Sequence, residues 1–199
     1  MLARSCTPLL PALLAGALLL PQAAVAQAPR DPSGVWLTED TRARIRLEKC
    51  GPGNERLCGY VVWMKSPTSD EGQARLDVKN PDPKKRSRPV LGHQLMLGLS
   101  PNEEGGFGGK IYNNEDGKSY DVTVWLDKPA TLKVKGCLIA FLCSTQIWTR
   151  TTDPLPGQRA AATGSPGGPQ PDPEWASGRP TATPASASAA PKRDAKPRP

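Results

Sequence analysis

The densest run of chemically capable side chains is Asp77-x2-Asn80-Pro81-Asp82-Pro83-x2-Arg86-x-Arg88-Pro89. Its prolines stiffen the backbone and reduce the entropy lost in holding a loop. Arg86 and Arg88 offer planar forks that receive a carboxylate or a phosphate, and Asp77 and Asn80 are spaced to orient them. The same groups can instead satisfy one another and cap neighbouring strand ends. Loop polar groups need local partners whether or not a ligand exists, so the self-satisfied arrangement carries more weight.

Aromatic residues form the second candidate set. Tyr60, Trp63, Tyr112 and Met96 are placed to line an interior suited to an apolar or amphipathic ligand, although small barrels usually fill themselves with side chains. Trp125 shares a face with Asp121, Thr123 and Asp127, opposite Tyr120, Val122, Val124 and Leu126. One of those two faces looks outward unless the fold encloses a cavity. His93, the single histidine, has no Ser or Cys motif beside it, so triad chemistry has little support and a satisfied strand histidine is expected. Asn114-Glu115-Asp116-Gly117 reads as a hairpin turn rather than a calcium loop, because Tyr112 occupies the first ligand position and strands flank it. No catalytic residue, cofactor or metal ligand is assigned.

The elements that must position these groups are strands. Between Ser33 and Arg150 no stretch sustains helical periodicity, whereas Ala43–Leu47, Tyr120–Leu126 and Leu132–Lys135 alternate strictly. Turn signals divide the segment into runs at 34–39, 42–50, 57–64, 89–99, 107–113, 118–127, 131–137 and 143–150. Antiparallel strands in this succession hide their edges most economically by closing, so an all-β, eight-stranded up-and-down barrel is expected, with a two-sheet sandwich as the alternative. Residues 65 to 88 form the one long connection. Leu138-Ile139-Ala140-Phe141-Leu142 is oddly apolar for a hairpin tip; folded inward it plugs one end of the barrel, and left exposed it marks a partner or membrane contact.

Compartment follows from the start of the chain and from its cysteines. Arg4, the apolar run Leu9–Leu20 and Ala24-Val25-Ala26 have the layout of a signal peptide cleaved after residue 26, and the run is too short and too interrupted for a spanning helix. A linker, 27–32, then precedes a barrel domain at 33–152, and the protein is expected to be periplasmic or secreted. Cys50, Cys58, Cys137 and Cys143 remain after cleavage; in an oxidising compartment they read as disulfides. Each close pair brackets a hairpin end, which favours Cys50–Cys58 and Cys137–Cys143 over the other pairings. Their spacings are poor for zinc.

The formal charge of +7 is spread along the chain without the Lys/Arg tracts of a nucleic-acid binder, so no nucleic-acid partner is expected. From Asp153 to Pro199 the composition turns to Pro, Ala, Ser and Gly, and a flexible tail is expected because too little apolar bulk offsets the entropy of ordering. Its main expected role is a solvated spacer, with contact between its basic end and an anionic envelope surface the sharper idea. A small apolar or anionic molecule is the expected partner of the barrel; an envelope interaction module without a cavity is the alternative.

Gly34-Val35-Trp36 in the first strand and Trp148-Thr149-Arg150 in the last resemble the Gly-x-Trp and terminal-strand Arg of lipocalin-like (calycin) barrels. The resemblance implies that Arg150 covers Trp36 at the closed end, a cation–π contact worth roughly 0.5–2 kcal/mol. The span from Gly34 to Arg150 also resembles the bacterial exported family catalogued as domain of unknown function 2147. It does so through Gly34-Val35-Trp36, Leu57-Cys58-Gly59-Tyr60-Val61-Val62-Trp63, Asp77 with Asn80-Pro81-Asp82-Pro83, Arg86-Ser87-Arg88-Pro89, Gly109-Lys110-Ile111-Tyr112, Asp116-Gly117-Lys118-Ser119-Tyr120 and Gln146-Ile147-Trp148-Thr149-Arg150. That resemblance implies fold and compartment, and no chemistry.

Overall fold

Alternating apolar and polar residues give strands one buried face, and the protein buries that face by closing the sheet on itself. The computed structural model describes residues 31–139 and 141–173; the expected leader, most of the linker and the tail from 174 lie outside the described residues. The strands are β1 (Gly34–Leu37), β2 (Ala43–Cys50), β3 (Arg56–Met64), β4 (Gln94–Pro101), β5 (Phe107–Asn113), β6 (Lys118–Lys128), β7 (Thr131–Ile139) and β8 (Leu142–Thr151). They form a closed barrel in chain order, every neighbour antiparallel. Closure sets Trp36 directly opposite Arg150, and the sandwich alternative falls away.

Side-chain alternation decides which residues face inward. On β6, Val122 and Val124 join the buried interior with Trp36, Leu47, Leu99, Phe107, Leu132 and Trp148. Each such side chain, taken fully out of water, contributes roughly 1.5–3 kcal/mol. Trp125 therefore lies on the opposite, outer face. The fourth strand starts at Gln94 rather than at 89. Pro89 has no N–H to give to a ladder, and Gly92, at φ +101°, turns the chain just before His93.

The closed end is built from backbone acceptors and one guanidinium. Trp36 Nε1 donates to Pro32 O at 2.9 Å, and the Arg150 guanidinium carbon lies 4.2 Å from the centre of the Trp36 ring. Arg150 also donates from Nε to Pro129 O at 2.8 Å and from Nη1 to Ser33 O at 2.7 Å. Gly34 is required beside it, because a Cβ there would come within 2.3 Å of Arg150 Nη1 at a φ of +137°.

Both cysteine pairs form as expected, Cys50–Cys58 across β2 and β3 and Cys137–Cys143 across β7 and β8. The apolar hairpin tip does not plug the barrel. Leu138, Ile139, Phe141 and Leu142 are 63, 51, 87 and 55% exposed. Pairing continues to Ile139 opposite Leu142, which leaves a turn too short to fold back into the mouth.

Residues 153–173, expected to belong to a flexible tail, instead lie as a belt on the outside of the barrel. Arg44 donates to Asp153 O at 2.5 Å and to Gln158 Oε1 at 3.1 Å, and Arg46 holds Arg159 O and Ala161 O at 2.6 and 2.7 Å. Farther round, Arg159 N donates to Val62 O and Gln170 N to Gly92 O, both at 2.8 Å. Side chains on β2 thus satisfy belt carbonyls, and the prolines lower the ordering cost that composition alone suggested was prohibitive. An outward-facing cluster of Cys58, Tyr60 and Val62 is buried on this side.

Candidate functional site

The open end of the barrel is bounded by the β1–β2 turn, the connection 65–93, the β5–β6 turn and the β7–β8 hairpin. The connection is fixed first by its own polar groups. Asp77, fully buried, accepts from Tyr112 Oη at 2.6 Å, Asn80 Nδ2 at 2.8 Å and Arg88 Nε at 3.0 Å. Asn80 Oδ1 accepts from Asp82 N at 2.9 Å, and the Asp82 side chain caps the single helical turn Pro83–Lys85. Arg86 Nε donates to Asn80 O at 2.8 Å. A buried carboxylate with three donors is the outcome expected when loop groups satisfy one another.

Next, the connection is seated on the β5–β6 turn. Lys79 Nζ donates to Glu115 O at 2.6 Å. Gly117, at φ +73°, permits the approach, since a Cβ there would lie 2.1 Å from Lys79 O.

His93 lies just before β4, bridged to Gln170, rather than within a strand. Its side chain is 3% exposed, its Nδ1 sits 3.9 Å from Asp77 Oδ2, and that nitrogen has no hydrogen-bond partner among the described residues. Burial, reinforced by the Arg88 charge and opposed by Asp77, pulls its pKa down to about 4. Burial and the bond to Asp77 push the Tyr112 hydroxyl well above its ordinary value.

Above this network the mouth opens into two adjoining lobes. One, of about 370 Å³, carries Arg42, Lys65 and Arg75 with Asp40, Glu115, His93 and Tyr112 on its walls, so its cations outnumber its acids by one. The other, of about 520 Å³, is walled by Val122, Val134, Leu138, Leu142 and the Cys137–Cys143 disulfide. Ile111, Asn113, Gln146 and Trp148 line both. The lobes have the size of small-molecule sites, and their walls differ in character.

The expected binding residues divide accordingly. Tyr112 reaches the cavity wall, and Asp77, Asn80 and Arg88 gather behind it. Arg86 turns to its own loop. Tyr60 lies on the outer face beneath the belt, where burial, then Glu48 and Asp172, raise its hydroxyl pKa. Trp63 sits 5.9 Å from the Arg44 guanidinium and opposite it in register, because a bulge between Arg44 and Ile45 sends Val62 and Trp63 away from the interior. Trp125 lines a small outer recess of about 180 Å³ with Asn102 and Lys135. Met96 is a core residue. Sequence reasoning missed Arg42, Lys65 and Arg75; Arg42 and Lys65 border β2 and β3 at this end of the barrel, whereas Arg75 lies within the long connection, where nothing in the sequence marked it. Among the described residues no group of three or more His, Cys, Asp or Glu side chains is disposed to hold a metal, and no helix is long and apolar enough to cross a membrane.

Comparison with solved structures gives the protein HP1028 from the human pathogen Helicobacter pylori, described as belonging to the lipocalin family. The similarity extends over 62% of this chain and 84% of that one, at 23% identity and a TM-score of 0.52. At that identity the likeness concerns the fold, an eight-stranded closed barrel of the lipocalin kind. No curated protein matches the chain. The family model for an uncharacterized protein conserved in bacteria, DUF2147, matches residues 34–150, from the glycine beneath Arg150 to Arg150 itself. The matched span therefore begins and ends on the closing contact of the barrel, and the chain belongs to the DUF2147 family.

Proposed function

We propose that the protein is a binding module for a small amphipathic molecule with an acidic group, held without covalent chemistry in the mouth of the barrel. The observation that carries this reading is the shared wall of the two lobes. A ligand spanning Ile111 and Trp148 would place an apolar body against Val122, Val134 and Leu142, and an acidic head within the field of Arg42, Lys65 and Arg75. The lipocalin-like fold of the neighbour supports the reading at the level of architecture. Export is part of the proposal, supported by the leader-like start and by two disulfides suited to an oxidising compartment.

Titration with a fluorescent polyene fatty acid tests the site. Saturable binding is expected, weakened at least tenfold by Val134→Trp, which fills the apolar lobe, and also weakened by Lys65→Glu combined with Arg75→Glu. Absence of saturable binding, or binding indifferent to both variants, rejects the cavity as the site. Mass spectrometry of the protein from host periplasm should find a chain beginning at Gln27.

A second reading, an envelope interaction module, is favoured by the exposed hairpin of Leu138, Ile139, Phe141 and Leu142. It predicts that Phe141→Ser releases the protein from envelope fractions while fatty-acid binding persists.

A further inference from the structure

A third cavity, of about 530 Å³, lies outside the barrel between the 82–93 segment and the belt, and Lys84, Lys85, Arg88 and Arg159 line it with Asp82 and Asp172. The cations outnumber the acids. Asp172, 5% exposed, accepts from Lys85 Nζ at 2.7 Å and closely from Arg88 Nη1. Its backbone N–H donates to Gln94 Oε1 at 3.0 Å. Asp82 is committed to capping its own helical turn.

Among the described residues that leaves two cations without an acid. Among the described residues Lys84 makes no side-chain hydrogen bond or ion pair. The Nε of Arg159 is buried without a partner, and its Nη1 makes only a 3.4 Å contact with Gly168 O. Buried guanidinium N–H groups left unmatched are costly, and a planar fork is best matched by an oxyanion. His93, whose Nδ1 is also unmatched, forms the wall between this cleft and the cationic lobe of the mouth.

We propose that this cleft is an oxyanion-binding site for a phosphate or carboxylate group, and that the Asp172 carboxylate is its resident occupant. The incoming group takes over Lys85 from Asp172 and adds Lys84 and Arg159, which line the same cleft. Asp172 then leaves toward solvent, and the belt end loses its ion pairs. The site is independent of the mouth cavity, so it stands or falls apart from the amphiphile reading.

The experiment uses the full chain, with inorganic phosphate and acetate as separate probes at constant ionic strength, read by chemical-shift perturbation and by proteolysis within residues 159–173. Asp172→Asn removes the occupant's charge and is expected to tighten binding of at least one probe about tenfold, and adding Lys84→Ala is expected to reverse the gain. In the unmodified protein the same probe should speed cleavage of the belt. Preference for phosphate assigns the site to phosphate groups, and binding of acetate assigns it to carboxylates. If a folded Asp172→Asn protein, checked by its melting transition, binds neither probe more tightly than the parent, the proposal is overturned. Should that variant not fold, Lys84→Ala in the otherwise unmodified chain decides: unchanged affinity and unchanged belt cleavage also overturn it.

Discussion

Tyr112 on β5 donates its hydroxyl to Asp77 across 2.6 Å, and this contact ties the long connection to the barrel wall. Tyr112→Phe removes one of three donors to a buried carboxylate while keeping the ring. The expected loss is about 1–3 kcal/mol, since the remaining oxygen is stranded away from water. Urea unfolding monitored by tryptophan fluorescence measures it, and an unchanged midpoint would show that the network does not anchor the connection.

His93 gives the fold a specific acid sensitivity. Its pKa is about 4 in the fold against an ordinary value near 6.5, so the unfolded chain binds the proton more readily. The associated stability is present above about pH 6.5 and is lost progressively as pH falls toward 4, by an amount on the order of 3 kcal/mol. His93→Gln should flatten the stability–pH curve within that window, and a curve of unchanged slope would remove His93 as its cause.

Arg150→Ala should destabilise the closed end by roughly 2–4 kcal/mol, combining the loss of the Trp36 contact with two carbonyl acceptors left behind. Lysine at this position keeps a cation over the indole but not both carbonyl bonds, so Arg150→Lys should fall between the alanine variant and the parent in thermal unfolding.

Reduction separates the two disulfides. Each closes a short loop and should contribute roughly 2–3 kcal/mol. Cys58 is fully buried, whereas Cys143 is only half-buried. Mild thiol treatment is therefore expected to open Cys137–Cys143 first, as alkylation followed by peptide mass mapping would detect.

Much of the barrel was legible because strand physics is local. Val122 and Val124 alternate with Asp121, Thr123 and Trp125, and that pattern separates the two faces; which of them turns inward is decided by the closed barrel, which buries the valines. The closing contact of Arg150 over Trp36 was legible only through the likeness of Gly34-Val35-Trp36 and Trp148-Thr149-Arg150 to lipocalin-like barrels; that Gly34 makes room for the guanidinium was not legible. Trp63 was not legible. Its direction depends on a bulge opposite Arg44, and one inserted residue reverses every later side chain. The connection's self-satisfaction was anticipated from its composition, but its reach to Tyr112 and Asp172 depends on distant backbone. The belt escaped because its partners are Arg44 and Arg46, whose alternation with Ala43, Ile45 and Leu47 resembles an ordinary solvated strand face. Two outward arginines beside a proline-rich segment containing Leu155 were the available signal.

The belt also changes how the molecule bears load. Thr151 leaves the sheet beside Val35, yet the chain stays fastened through Arg44, Arg46, Val62 and Gly92 until Asp172 meets Lys85 and Arg88. A pull applied just beyond residue 173 would first shear that carboxylate clasp, then peel the polar fastenings one at a time. The seam between first and last strands would feel tension only after all of them had given way.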